Sequence, residues 1–239
     1  NLPASIEGLK VVSIADDFLN GARQSWNART WGDIVIPEGI TNIGNRAFYQ
    51  LEVHSFSLPG SLVSIGDSAF YNPTVYGGSI SIPPNVSIIG NKAFYGCYYI
   101  TAIELRSNDL VLGAEAFSGC SFLKSVVLPD SLQRIPDGLF YGCNELETVN
   151  IPFSVASIGA SAFLMCNKLQ AIALPEGLTW IGEEAFWGCQ KLESISIPYR
   201  RIIAEKLFKK CPGLFLLPKL AKTEQLDHIT LSNLPSIKF

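Results

Sequence analysis

A phenylalanine recurs every 22 to 24 residues through most of this chain, usually as the second residue of an Ala-Phe pair. Prolines keep the same interval, and so do all six cysteines. Self-similarity at a fixed period of this size predicts a repeat architecture, in which each unit buries its apolar face only against its neighbours. The aligned phenylalanines are Phe48, Phe70, Phe94, Phe117, Phe140, Phe163, Phe186 and Phe208.

Each unit reads approximately L-x-x-I-x-I-P-x-x-L-x-x-I-G-x-x-A-F-x-G-C-x-x. The I-x-I part, such as Ile172 and Leu174, alternates with period two and predicts a short half-buried strand, which the following proline ends. A glycine such as Gly182 then permits a tight turn, and Glu183–Ala185 after it favours one short helical turn. Stacked units therefore predict one core and one parallel sheet.

The whole chain, residues 1–239, is predicted to be a single solenoid domain with eight repeats over residues 31–211. Residues 1–30 are interpreted as a degenerate first coil and cap, because VVSIADDFLNG resembles LVSIGDSAFYN of the second unit. Residues 212–239 are interpreted as a C-terminal coil and cap, with a last strand through Leu226, Ile229 and Leu231. In the second unit, YNPTVYGG replaces the Gly-Cys turn and predicts a local bulge.

The tandem I-G-x-x-A-F-x-G-C pattern over residues 31–211 resembles the BspA-like, or Treponema-type, class of leucine-rich repeats. The resemblance implies an α/β repeat fold: a right-handed leucine-rich-repeat solenoid with a parallel sheet on the concave face and short helical turns or loops elsewhere. Proteins of that family are largely bacterial surface or secreted proteins, and some are implicated in attachment to host matrix or other cells. The resemblance therefore implies a binding role, and it transfers no catalytic residue because the family motif contains none.

The cysteines occupy one column of the repeat, and they could be disulfide halves, metal ligands, nucleophiles or buried structural thiols. In stacked units their Cβ vectors run parallel instead of converging, which disfavours disulfides. No C-x-x-C pair offers a zinc site, and no column supplies a base to activate a thiol. The pattern favours free thiols that pack as small hydrophobic groups, with no metal and no cofactor. The column contains Cys97, Cys120, Cys143, Cys166, Cys189 and, in the least regular coil and the expected exception, Cys211.

Two surfaces of the predicted solenoid are candidates for ligand binding. The first is the outward face of the sheet, where Glu104 and Asn150 stand among small side chains; its alternative is a solvated face without a partner. The second is an aromatic ridge, built mainly from residues that follow the core phenylalanines. Its alternative is that these rings lie flat over the turns and shield the core. The candidate ridge residues are Tyr95, Tyr98, Tyr99, Tyr141 and Trp187.

Charge and motifs argue against several classes of function. A net charge of -3 is unlike the basic footprint of a nucleic-acid binder. No apolar run reaches the roughly 18 residues that a transmembrane segment needs. The sequence contains no P-loop, no G-x-G-x-x-G, no H-E-x-x-H and no G-x-S-x-G.

Together with the absence of these motifs, the family resemblance implies a non-enzymatic recognition or adhesion module, at a cell surface or secreted, that binds a protein or glycan of a host or neighbouring cell. The alternative is a structural spacer within a larger surface protein, with no ligand of its own. A basic cluster between Arg200 and Lys222 is interpreted as the solvated end of the domain, and the alternative is contact with an acidic partner.

Overall fold

Each repeat contributes strands at two separate points of its coil. The computed structural model describes residues 5–6, 9–19, 33–53, 55–75, 78–196, 211–212 and 215–217. At the first point the I-x-I segments form a seven-stranded parallel sheet, called here the long sheet, whose register partners lie one repeat apart, as Ile80 and Ile103 do. Its strands are Ser79–Ile82, Ala102–Leu105, Ser125–Val127, Thr148–Val149, Ala171–Ala173, Ser194–Ser196 and Phe215–Leu217.

A second set of parallel strands is formed by the dipeptide before the repeat glycine or before the residue in its place, so the expectation of a single sheet was wrong. The glycine N–H extends this ladder: Gly66 donates to Ile43 O and Gly90 to Ile65 O, both at 2.8 Å. Five strands form one piece and three form another. They are Ser13–Ile14, Asn42–Ile43, Ser64–Ile65, Ile88–Ile89 and Val111–Leu112, then Arg134–Ile135, Ser157–Ile158 and Trp180–Ile181.

Pro136 accounts for the division of the second sheet. It takes the place of the repeat glycine in its coil. Proline has no N–H, so it cannot donate to Leu112 O in the way that Gly113 donates to Ile89 O at 2.7 Å. The first piece consequently ends at Val111–Leu112, and the second begins at Arg134–Ile135.

A column of Asp and Asn side chains links the turns that follow the second sheet. Asp67 N donates to Asn45 Oδ1 at 2.8 Å, and Asn91 N donates to Asp67 Oδ1 at 2.7 Å. The column begins with Asp16, which accepts from Asn45 N at 2.7 Å. Each side-chain oxygen thus satisfies a backbone N–H of the next coil, where the chain turns away from the regular ladder.

The stretch after each repeat glycine consists of tight turns, and the helical turn expected over Glu183–Ala185 is not formed. Glu184 has a φ of 56°, which lies outside the α-helical region. Alternate N–H groups donate to the neighbouring coil, as Phe70 N does to Ala93 O at 2.7 Å, so they make no helical hydrogen bond. Within the described residues, the structure contains strands but no helix. Residues equivalent to Glu184, with φ from 53° to 60°, are Asp17, Arg46, Ser68, Lys92, Glu115, Gly138 and Ser161.

The phenylalanine column forms the centre of the core. Consecutive rings from Phe48 to Phe186 stack with centroids 5.0 to 6.1 Å apart, and all seven are buried. Phe56 adds another ring, 4.5 Å from that of Phe70. Buried residues from both strand positions pack around the column in one cluster, so the described coils share a single core.

The first coil stacks on the second in the regular manner. Ser13–Ile14 pairs in parallel with Asn42–Ile43, and Leu19 N donates to Ala47 O at 2.7 Å. Before this coil, the antiparallel pair Ser5–Ile6 and Leu9–Lys10 forms a two-stranded sheet. Over residues 11–19, the similarity of the sequence to the second unit therefore reflects an equivalent backbone path.

The second unit, where a bulge was expected, contains a break in the strand ladder. Phe56–Ser57 pairs with Ile34–Val35 but does not join the long sheet, which begins at Ser79–Ile82. Thr74–Val75 pairs instead with Glu52–Val53.

Three C-terminal predictions, namely Phe208, the basic cluster and the last strand through Leu226, Ile229 and Leu231, lie outside the described residues. Within the described residues, no helix has the length and apolar character needed to cross a membrane.

The coils approach each other closely at the repeat glycines, so an added side chain there should collide with the preceding coil. A methyl group at Gly90 would lie 2.5 Å from Asp67 Oδ1 and 2.6 Å from Asp67 N, whereas one at Gly177 would lie 3.7 Å from Phe153 O. We expect Gly90→Ala to lower the free energy of unfolding by about 2–4 kcal/mol, because backbone atoms must move. Gly177→Ala, the control, should change it by less than about 1 kcal/mol. Urea denaturation measures both, and equal losses would contradict the proposed packing.

Candidate binding surfaces

The cysteine column lies inside the solenoid, where its thiols donate hydrogen bonds to the backbone. Cys143 Sγ lies 3.3 Å from Phe117 O, and Cys166 Sγ lies 3.2 Å from Phe140 O. In each case the acceptor is the core phenylalanine of the preceding coil, and the same bond recurs along the column. All six cysteines are free; Cys211 is partly exposed and the other five are buried.

Burial raises the pKa of five of these thiols. Desolvation is the main cause that raises the pKa of Cys97 and Cys143 well above the usual value, and it also raises the pKa of Cys166 and Cys189. For the partly exposed Cys211, burial raises the pKa to about 11. Since the thiolate is the nucleophilic and metal-binding form, a raised pKa disfavours both kinds of chemistry at neutral pH.

The donor role of the cysteines predicts an effect of truncation. We expect Cys143→Ala to lower the free energy of unfolding by about 1–3 kcal/mol, because it leaves a small cavity and removes the hydrogen bond to Phe117 O. Cys211→Ala makes the same chemical change at a partly exposed site and should lower the free energy of unfolding by a smaller amount. Urea denaturation of both variants measures the difference. A larger loss for Cys211→Ala would contradict the structural role assigned to the buried column.

Three tyrosines that directly follow core phenylalanines stack their rings over three coils. The rings of Tyr49 and Tyr71 lie 4.8 Å apart, and those of Tyr71 and Tyr95 lie 4.7 Å apart, with interplanar angles of 7° and 5°. Arg46 covers the Tyr49 ring at 5.1 Å. Burial is the main cause that raises the pKa of Tyr95, and electrostatic interaction with Tyr71 and other ionisable neighbours adds to it. The rings thus face each other along the stack, which differs from rings lying flat over the turns.

Ser118 ends this stack. It occupies the next position of the column, is buried, and donates from Oγ to Tyr141 O at 3.2 Å. Tyr141 beyond it is exposed, and Trp187, two coils further on, is half-buried. From Tyr95 through Tyr141 to Trp187 the rings therefore form a broken row.

A second group of aromatic side chains is more open to solvent. Tyr98, Tyr99 and Phe122, called here the exposed aromatic patch, have 45%, 44% and 50% of their surface exposed. The rings of Tyr99 and Phe122 stack at 5.8 Å, and Phe122 N donates to Tyr98 O at 3.1 Å. The patch lies between the cysteine column and the long sheet. Sequence reasoning missed Phe122, although it follows Cys120 at the same interval as Tyr99 follows Cys97.

The two polar candidates lie on the outer side of the long sheet, in different surroundings. Glu104 Oε2 accepts a hydrogen bond from Arg106 Nη2 at 2.9 Å, and this bond lowers the pKa of Glu104. Asn150 is exposed immediately after the strand Thr148–Val149. The structure does not place either residue in contact with the exposed aromatic patch. Within the residues that the structure describes, no three His, Cys, Asp or Glu side chains are arranged to hold a metal ion.

Sequence comparison identifies a known repeat family. The family described as BspA type Leucine rich repeat region matches residues 25–121 and 87–215, with six copies. A search of curated proteins found no match.

Solved structures show the same architecture. A leucine-rich repeat protein from Bacteroides ovatus is 30% identical, with a TM-score of 0.62. The match covers 86% of this chain and 58% of the Bacteroides chain. The leucine-rich repeat protein of T. pallidum is 28% identical, with a TM-score of 0.57 over 89% of this chain and 76% of its own. A leucine-rich repeat protein from Eubacterium ventriosum, 22% identical with a TM-score of 0.56, covers 84% of this chain and 62% of its own. This chain thus spans little more than half of the Bacteroides chain.

Proposed function

Because the chain belongs to the BspA-type leucine-rich-repeat family, we propose that it is a non-enzymatic recognition or adhesion module, at a cell surface or secreted, that binds a protein or glycan. Family membership supports the location and the binding role, since stacked repeats provide extended surfaces for partners. The observation that carries the proposal is the exposed aromatic patch of Tyr98, Tyr99 and Phe122.

The patch combines two properties of a recognition surface. Aromatic side chains supply a large rigid contact area, and the tyrosines add a polar hydroxyl group. The backbone beneath them is fixed by Cys97 and Cys120, which lie just before the patch residues in the sequence. Both cysteines are buried and donate hydrogen bonds to backbone carbonyls of core phenylalanines. A surface held in place before binding loses little conformational entropy when a partner docks.

The other sequence candidates contribute less to this proposal. Tyr95 stacks on Tyr71 and is partly buried, so its substitution would disturb the fold as well as any binding. Glu104 is already paired with Arg106, and a partner would have to replace that bond. We therefore place the binding surface on the patch, with Tyr141 and Asn150 as outlying exposed positions.

Substitution of the patch tests this function. The triple variant Tyr98→Ser, Tyr99→Ser, Phe122→Ser should lose about tenfold or more in affinity for its partner, because the central aromatic contacts are removed. The measurement is binding of the purified protein to an array of oligosaccharides and to immobilised matrix proteins, followed by titration of each positive. Thermal unfolding of the variant checks that the fold is retained.

A matched control uses exposed apolar residues of the second sheet. Ile88→Ser with Val111→Ser removes two exposed side chains from a different part of the surface and should leave affinity unchanged. Equal binding by the patch variant and the unmodified protein would remove the patch from the proposal. Failure of the unmodified protein to bind any probe would favour the spacer function instead.

A further inference from the structure

Phe153 is the most exposed large apolar side chain among the described residues. Its exposure is 92%, and the next value, for Val111, is 63%. Phe153 lies in the turn after the strand Thr148–Val149, and Val155 N closes this turn by donating to Pro152 O at 3.1 Å. Ser154 Oγ also bonds to Asp130 O at 2.6 Å and to Leu132 O at 2.7 Å, which fixes the turn to the preceding coil. The ring is thus presented from a rigid backbone.

Acidic side chains occupy the equivalent positions on both neighbouring coils. Asp130 follows Pro129 and Glu176 follows Pro175, as Phe153 follows Pro152. The neighbouring turns are close, since a methyl group at Gly177 would lie 3.7 Å from Phe153 O. Both acidic residues are exposed, and neither takes part in an ion pair with another described residue. The turns 129–132, 152–155 and 175–178 contain no Lys or Arg.

The wider surface is also acidic. Residues 33–196 contain 15 Asp and Glu against 7 Lys and Arg. Five of those seven basic residues form ion pairs, and none of these pairs includes Asp130 or Glu176. A cation approaching this turn would meet an open aromatic face between two carboxylates. An aromatic face attracts cations through its quadrupole, and Arg in addition stacks on it.

We infer that Phe153, Asp130 and Glu176 form a docking point for an arginine- or lysine-bearing segment of a protein partner. The ring receives the cation or its aliphatic stem, and the two carboxylates bind its N–H groups. This surface follows the strands of the long sheet, whereas the exposed aromatic patch precedes them. The inference therefore goes beyond the proposed function of the patch, and either site can fail without the other.

The test uses the full chain and a fluorescein-labelled peptide of alternating arginine and glycine, with binding followed by fluorescence anisotropy at low and physiological ionic strength. The same peptide with glutamine in place of arginine is the probe control and should not bind. We expect Phe153→Ala to weaken binding of the arginine peptide by about fivefold or more, and Asp130→Asn with Glu176→Gln by about tenfold.

A second double variant separates a specific site from general attraction. Glu183→Gln with Glu193→Gln removes the same amount of charge from exposed residues elsewhere and should weaken binding by less than about twofold at physiological ionic strength. Equal losses for the two double variants, no effect of Phe153→Ala, or no binding of the arginine peptide to the unmodified protein would each overturn the inference. Loss of binding by the variant of the exposed aromatic patch would also overturn it, because the peptide would then occupy that patch.

Discussion

The structure depends on backbone hydrogen bonds that connect each coil to equivalent positions of the next. Register partners such as Ile80 and Ile103, or Ile43 and Ile65, stand one repeat apart. The same relation continues through the turns, where Phe70 N donates to Ala93 O. Each side chain therefore lies beside its own counterpart, and every position of the repeat becomes a column with one environment.

The residue type in each column is explained by one physical requirement of that stacking. Phenylalanine fills the centre, and cysteine is small enough for the core while its thiol reaches a backbone carbonyl, as Cys143 does at Phe117 O. Glycine permits the contact at which a side chain would collide with the preceding turn, as at Gly90. Where a column lacks its usual residue, the regular bonding stops: Pro136 divides the second sheet because it carries no N–H.

The sequence was sufficient to predict the columns but not every local conformation. The long sheet could be predicted because alternation such as Ile80 and Ile82 gives a period-two signal. The second sheet was missed because two residues, such as Ser64–Ile65, are too short for alternation to be visible. The helical turn at Glu183–Ala185 was wrong because helix propensity is local, whereas Glu183 O and Ala185 O accept hydrogen bonds from Ser161 N and Phe163 N of the preceding coil. Likewise, the position of Tyr71 predicted its column but could not predict that its ring stacks on those of Tyr49 and Tyr95.

The surface positions proposed for binding are among the few at which the columns vary. Tyr99 and Phe122 share a position that is occupied by Glu145 and Lys168 in the following coils, where an ion pair of 2.6 Å replaces the aromatic stack. Phe153 stands in a column that is acidic in the coils on either side. The constant columns hold the coils in register, and these variable positions can then differ in chemistry without disturbing the core.

In-register stacking is tested most directly by the rate at which a thiol reagent reacts with the native protein at pH 8, compared with the protein unfolded in denaturant. We expect Cys211 to react first in the native protein, and the five buried thiols to react only as fast as the solenoid unfolds. Rapid reaction of most of the six thiols without unfolding would contradict a shared, buried column.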